Sequence, residues 1–198
     1  MAQEKTSSIG SNFMTYPAGG WRKALFKSPL LLWRLGLGSI IGRSIMVLTV
    51  TGRKSGLPRH TMAEWHPIGS RKFVPVAFGE RAQWYKNIQA NPLITIQTNE
   101  GAESVFARRI TEEHEFLEAV RVVQQRNPVM AQWYFESRGI TDANPENLLS
   151  HKDQIFFLTF DATSESTPPP LQADLRWVWL IVLGLFILLG VLLRQEEK

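Results

Sequence analysis

The sequence predicts an α+β fold, an antiparallel β-barrel with flanking helices, followed by a C-terminal transmembrane helix. Three observations predict it. Six short β-branched or aromatic runs are bounded by Gly, Pro, Asn or Ser. They follow one another too closely for the crossover helices of a parallel sheet. Near the end of the 198-residue chain, Trp177 to Leu193 is free of charge and lies between Arg176 and Arg194.

In chain order, residues 1–20 are polar and Gly/Ser-rich, lack the apolar core of a signal peptide, and are predicted disordered. From Trp21 to Leu37, apolar side chains alternate with Arg22, Lys23, Lys27 and Arg34 and no acid. Such a stretch suits a membrane surface or a helical layer on the body, and Pro29 divides it. The predicted strands are Ile45 to Thr51, His60 to Trp65, Lys72 to Phe78, Leu93 to Thr98, Ser104 to Ile110 and Gln154 to Phe160. The predicted helices are Ala82 to Ala90, closed by Asn91-Pro92, and Thr111 to Arg126, with Glu112, Glu113 and Glu115 in its first turn. The body therefore spans 21–161. Residues 162–175, ending a polar run with Pro168-Pro169-Pro170, read as a semi-rigid linker, 176–194 as the anchor, and 195–198 as a short tail.

Charge is distributed unevenly. Residues 1–60 carry 9 basic and 1 acidic side chains, net +8, whereas the remainder is net −4. With the basic half ahead of the anchor, the positive-inside bias places the globular domain on the cytoplasmic side of a membrane, in contact with its lipid. The chain has no cysteine, which excludes a cystine scaffold, a zinc-cysteine module and a thiol enzyme. His60 and His66 share the parity of a strand but have no further ligands, so no metal site is expected. The basic residues are split between an apolar stretch and one turn, a pattern that does not fit nucleic acid.

The sharpest local signal is Leu48-Thr49-Val50-Thr51-Gly52-Arg53-Lys54-Ser55-Gly56-Leu57-Pro58-Arg59, two strands around a glycine-bounded turn. Arg53, Lys54 and Arg59 repel one another unless an anion such as a phosphate or polycarboxylate joins them. Lys54 is not preceded by glycine and Pro58 stops a helix, so this is no P-loop. A second signal is Phe78-Gly79-Glu80-Arg81-Ala82-Gln83-Trp84-Tyr85-Lys86-Asn87-Ile88. In it, Trp84, Asn87, Ile88 and Asn91 share one helical face, and an amide on a packed face requires a partner.

Taken together, Thr51-Gly52-Arg53-Lys54-Ser55-Gly56-x-Pro58-Arg59 and Trp84-Tyr85-x-Asn87-Ile88-x-Ala90-Asn91-Pro92 resemble the deazaflavin (F420)-dependent nitroreductase family, over roughly residues 21 to 160. The resemblance implies a split β-barrel and coenzyme F420, whose phosphate and polyglutamate tail is an anion of the kind the hairpin calls for. Carried over, it implies that Arg53, Lys54, Ser55 and Arg59 form the tail site, with Lys54 and Arg59 gripping it. Gly79, Trp84 and Asn87 would help to seat the phosphate and ring. It also implies a lipophilic acceptor (quinone, enone or nitro compound), with Tyr134 as proton donor or substrate-pocket residue, and it leaves a homodimer open. The same barrel hosts flavin mononucleotide (FMN) and haem proteins, so an FMN or haem protein and a noncatalytic membrane-tethered module stand as alternatives.

Overall fold

In this computed structural model the structure describes residues 29–196; the predicted disordered stretch 1–20 and the beginning of the basic segment lie outside the described residues. Seven strands form one sheet: β1 (Ile45–Thr51), β2 (Pro58–Glu64), β3 (His66–Ile68), β4 (Arg71–Pro75), β5 (Leu93–Thr98), β6 (Gly101–Arg109) and β7 (Phe157–Ala162). Their order is β2-β1-β5-β6-β7-β4-β3, and every pair is antiparallel. The helices are α1 (Gly38–Ile41), α2 (Gln83–Ala90), α3 (Glu113–Arg126), α4 (Pro128–Glu136), α5 (Pro145–Ser150) and α6 (Val178–Glu196).

The expected α+β class and antiparallel pairing hold, but in place of the expected split barrel the seven strands form an open sheet, with β2 and β3 at its edges. The edge strands are consecutive in the chain, joined by a corner at Trp65. There the backbone N–H donates to the Ser44 carbonyl (3.1 Å) and the indole N–H to the Gly42 carbonyl (2.9 Å). Pro67 in β3 has no N–H to donate to a closing ladder. The sheet nevertheless curls. Met46, Leu48 and Val50 of β1 share one buried cluster with Val74 of β4 and with Tyr85 and Ile88 of α2. A second cluster lies on the opposite face, where Phe73, Ile110 and Phe157 meet Phe116 and Val120 of α3 and Tyr134 and Phe135 of α4.

The transmembrane helix is also overturned: among the described residues, no helix is long and apolar enough to cross a membrane. At about 1.5 Å per residue the uncharged run spans roughly 25 Å, against a hydrocarbon core of about 30 Å. Its first turn is also tied to protein. Trp179 donates its indole N–H to the Leu35 carbonyl (2.8 Å), and Arg34 and Asp174 form a two-pronged ion pair at 2.8 and 2.7 Å. The Arg176 side chain lies over Gly36, where the N-terminal helical segment breaks at φ 88°. The membrane localisation and cytoplasmic orientation rested on that span and fall with it.

The proline-rich segment before α6 is docked on the sheet rather than hanging free. Side chains alternate along a strand, so while Ile94 and Ile96 of β5 point inward, Thr95 and Gln97 face the segment. Gln97 Nε2 donates to the Leu171 carbonyl (3.1 Å) and its Oε1 accepts the Leu171 N–H (2.7 Å). Thr95 bonds the Thr167 hydroxyl (2.7 Å) and the Pro168 carbonyl, and Ser104 of β6 shares the same Thr167 hydroxyl (2.8 Å).

Replacing Gln97 by Leu strands both Leu171 backbone groups at a cost of about 1–3 kcal/mol, read as a drop of several degrees in Tm; an unchanged Tm contradicts the docking. A second prediction concerns His66, 2% exposed against Phe73, with an unpartnered Nδ1. Burial holds its imidazole below the ordinary range, opposed by Glu64 and reinforced by Arg126. The folded protein therefore binds this proton less readily than the unfolded chain. The corresponding stability is full above about pH 6.5 and is lost as pH falls below it. His66→Phe should flatten that loss in denaturant titrations; an unchanged pH slope counts against it.

Candidate functional site

The β1–β2 turn is shaped by its glycines. Gly52 donates its N–H to the Leu57 carbonyl (2.9 Å), and its own carbonyl accepts the N–H groups of Ser55 (3.0 Å) and Gly56 (2.7 Å). Gly56 adopts φ 67°, a region other residues seldom occupy. A Cβ on Gly52 would meet the Ser55 hydroxyl at 2.8 Å and the Leu57 carbonyl at 3.2 Å, so the turn closes only around glycine.

The three cations of this hairpin have different surroundings. Arg53 is fastened to α2. Its Nη1 donates to Asn87 Oδ1 (2.9 Å) and the Gln83 carbonyl (3.4 Å), its Nη2 to Gln83 Oε1 (2.8 Å), and its backbone N–H to Asn87 Oδ1 (3.3 Å). Asn87 is 7% exposed, and this is the partner its buried amide required. Lys54 and Arg59 are exposed and have no acidic partner among the described residues. Arg59 reaches only the Ser55 hydroxyl, at 3.4 Å. Elsewhere acids are at hand: Lys72 sits between Glu100 and Glu103, and Arg108 between Glu115 and Asp161.

Gly79 opens the short turn Gly79–Arg81 that leads into α2. Its φ is 50°, and a Cβ there would lie 3.2 Å from the Phe156 ring. Trp84 is partly buried against the first cluster, edge-on to Tyr85 at 6.4 Å between centroids. The structure thus brings Arg53, Lys54, Ser55 and Arg59 onto one hairpin with Asn87 beside it, and places Gly79 and Trp84 on the approach to α2 and on α2 itself.

Tyr134 lies apart from them, in the second cluster. Its hydroxyl accepts the Phe156 N–H (3.1 Å) and faces the Phe156 carbonyl (3.4 Å), its ring lies beneath the Arg138 guanidinium (3.6 Å), and burial raises its pKa.

Sequence reasoning missed two features here. Gln83 is the second acceptor for Arg53, and its i, i+4 spacing to Asn87 was the available signal. Strand alternation also puts Arg59, Thr61, Ala63 and Trp65 in one row on the inner side of β2, and Ala63 and Trp65 pack against the same cluster as Phe78 and Trp84. Among the described residues no group of three His, Cys, Asp or Glu could hold a metal ion.

An antiparallel sheet carrying two cations without acidic partners on a hairpin, with small side chains along the adjoining strand, has the chemistry to hold an anionic ligand. The model of the F420H(2)-dependent quinone reductase family matches residues 36–139, just over half of the chain, and the chain belongs to that family. It is therefore an oxidoreductase whose coenzyme is F420. Among solved structures it is similar to an F420-H2 dependent reductase, FDR-A, at 21% identity, covering 60% of this chain and 95% of that one with a TM-score of 0.42. It is also similar to HutZ, a heme storage protein from Vibrio cholerae, at 12% identity, covering 75% and 98% with a TM-score of 0.41. A heme binding protein from Mycobacterium smegmatis matches at 12% identity over 66% and 51%, TM-score 0.41. These likenesses are too distant to argue function.

Gly79→Ala combines a left-handed backbone with a close approach to Phe156. It should destabilise the protein by about 1–3 kcal/mol in chemical denaturation. Wild-type stability would show that Gly79 is not held as described.

Proposed function

We propose that coenzyme F420 lies along the inner side of β2, its acidic tail at Lys54 and Arg59 and its ring between the Thr61–Ala63 row and the Gly79–Trp84 segment, and that the acceptor is a quinone-type molecule. The observation that carries this reading is the division among the hairpin cations: Arg53 is consumed by Asn87 and Gln83, while Lys54 and Arg59 have no acidic partner among the described residues. The residues fit the coenzyme: two unpaired cations for its acidic end, and a strand face with only a hydroxyl and a methyl at its centre for a flat ring.

When bound, F420 in its reduced form supplies a hydride to the acceptor. The chain's residues place and shield it. Lys54 and Arg59 hold charge through N–H donors; Arg53, locked to α2, keeps the hairpin at a fixed distance from Trp84; and the Trp84 indole and Phe78 ring exclude water from the inner side. Neither nearby phenol is set to hand on a proton. Tyr85 is 3% exposed with its pKa raised by burial, and Tyr134 is occupied by the Phe156 backbone. Membership of a quinone reductase family supports a quinone as acceptor; on taking up the hydride it needs one proton, which solvent can supply.

Lys54→Glu and Arg59→Glu should each weaken F420 binding roughly ten- to hundred-fold in an absorbance titration, with the difference shrinking as salt is raised. Wild-type affinity in both variants rules out the hairpin as the tail site.

A further inference from the structure

The corner that carries Gly79 is held from behind by a cation that the site does not use. Phe156, just before β7, is the wedge. Its ring fills the space where Gly79 would carry a side chain, meets Tyr85 edge-on at 5.6 Å, and lies 4.3 Å from the Arg109 guanidinium. Its carbonyl accepts the Val76 N–H (2.8 Å), and its own N–H goes to the Tyr134 hydroxyl (3.1 Å).

Arg138, just beyond α4, fastens this wedge to the corner. Nη2 donates to the Ala77 carbonyl (2.9 Å), Nε to the Gln154 carbonyl (2.9 Å) and Nη1 to the Tyr134 carbonyl (2.8 Å), while the guanidinium covers the Tyr134 ring at 3.6 Å. One side chain thus joins the end of α4, the segment entering β7, and Ala77, two residues before Gly79. Arg138 is partly buried and has no carboxylate partner among the described residues. Burial disfavours its charged form. A cation desolvated without a counter-ion is costly, and the three carbonyls that Arg138 bonds are what offset that cost.

We propose that Arg138 is a positioning residue for the coenzyme: it fixes Ala77 and Gly79 against Phe156 and so sets the seat beside Gly79 on which F420 rests. This rests on the placement of F420 given above. Tyr134 then acts as a structural bridge, through the Phe156 backbone, in place of the proton donor its phenol suggested.

The test uses the full-length protein, F420 titration by absorbance, and steady-state reduction of menadione. Arg138→Met should raise Kd for F420 and KM for its reduced form about ten-fold while kcat changes less than about three-fold and KM for menadione is unchanged. Arg138→Lys keeps the charge but cannot span three carbonyls, and should fall between Met and wild type. Gln97→Leu, which loses stability at a site remote from the corner, should keep wild-type Kd. A lowered Tm in Arg138→Met with wild-type Kd and KM, or Arg138→Lys as weak as Met with Gln97→Leu equally impaired, overturns the proposal and leaves a stabilising crosslink only. If Lys54→Glu and Arg59→Glu both leave affinity intact while Arg138→Met weakens it, the hairpin reading fails and Arg138 stands; the opposite pattern retains the hairpin and removes Arg138.

Discussion

The bond between the Arg53 guanidinium and the Asn87 amide is the constraint on which the site depends. It joins a turn at one edge of the sheet to a helix that lies 30 residues further along the chain and packs over the first core. A buried amide oxygen without a donor is costly, and so is an arginine held among like charges. Each group answers the other's need. The consequence is a division among three neighbouring cations: one is structural, and two have no acidic partner among the described residues. Without that bond the turn would be an edge hairpin with no fixed relation to Trp84.

The polar residues on the outer side of the sheet follow the same logic. Thr95 and Gln97 are buried side chains in a strand whose other face is aliphatic, and they are tolerated because the chain between β7 and α6 returns to supply hydroxyl and carbonyl partners. The segment is therefore an edge-to-face cover for β5 and β6, and the Arg34–Asp174 pair and the Trp179 indole bond fix where it ends. The beginning of α6 is positioned by the N-terminal helical segment.

What could be read from the sequence divides along the range of the interaction. β1 and β5 were legible to the residue because β-branched runs bounded by turn residues are local signals, and the capping acids of α3 placed its start within two residues. β3 fell in the gap between two expected strands because three residues containing Pro67 give no period to read. α4 was missed because Pro128–Glu136 is apolar on most sides and makes no stripe. The docking of the proline-rich segment was not legible because prolines say only that a segment joins no ladder; the partners that hold it are more than 60 residues away in sequence. The barrel and the membrane span were each one step too far. Alternating strands do not specify closure, and a run of 17 uncharged residues sits at the lower limit of a span. Within the site, the cluster of cations was visible, but its division was not, since nothing local marks Arg53 as the one that meets Asn87 and Gln83. Tyr134 was singled out for its phenol, whose destination, the Phe156 backbone, lies 22 residues on.

A crystal structure of the protein with coenzyme F420 tests the central claim most directly. The account predicts the acidic tail within ion-pair distance of Lys54 Nζ and the Arg59 guanidinium, with Arg53 still bonded to Asn87 and Gln83. A tail seated elsewhere on the sheet, or an Arg53 released from α2 to grip it, would contradict the account.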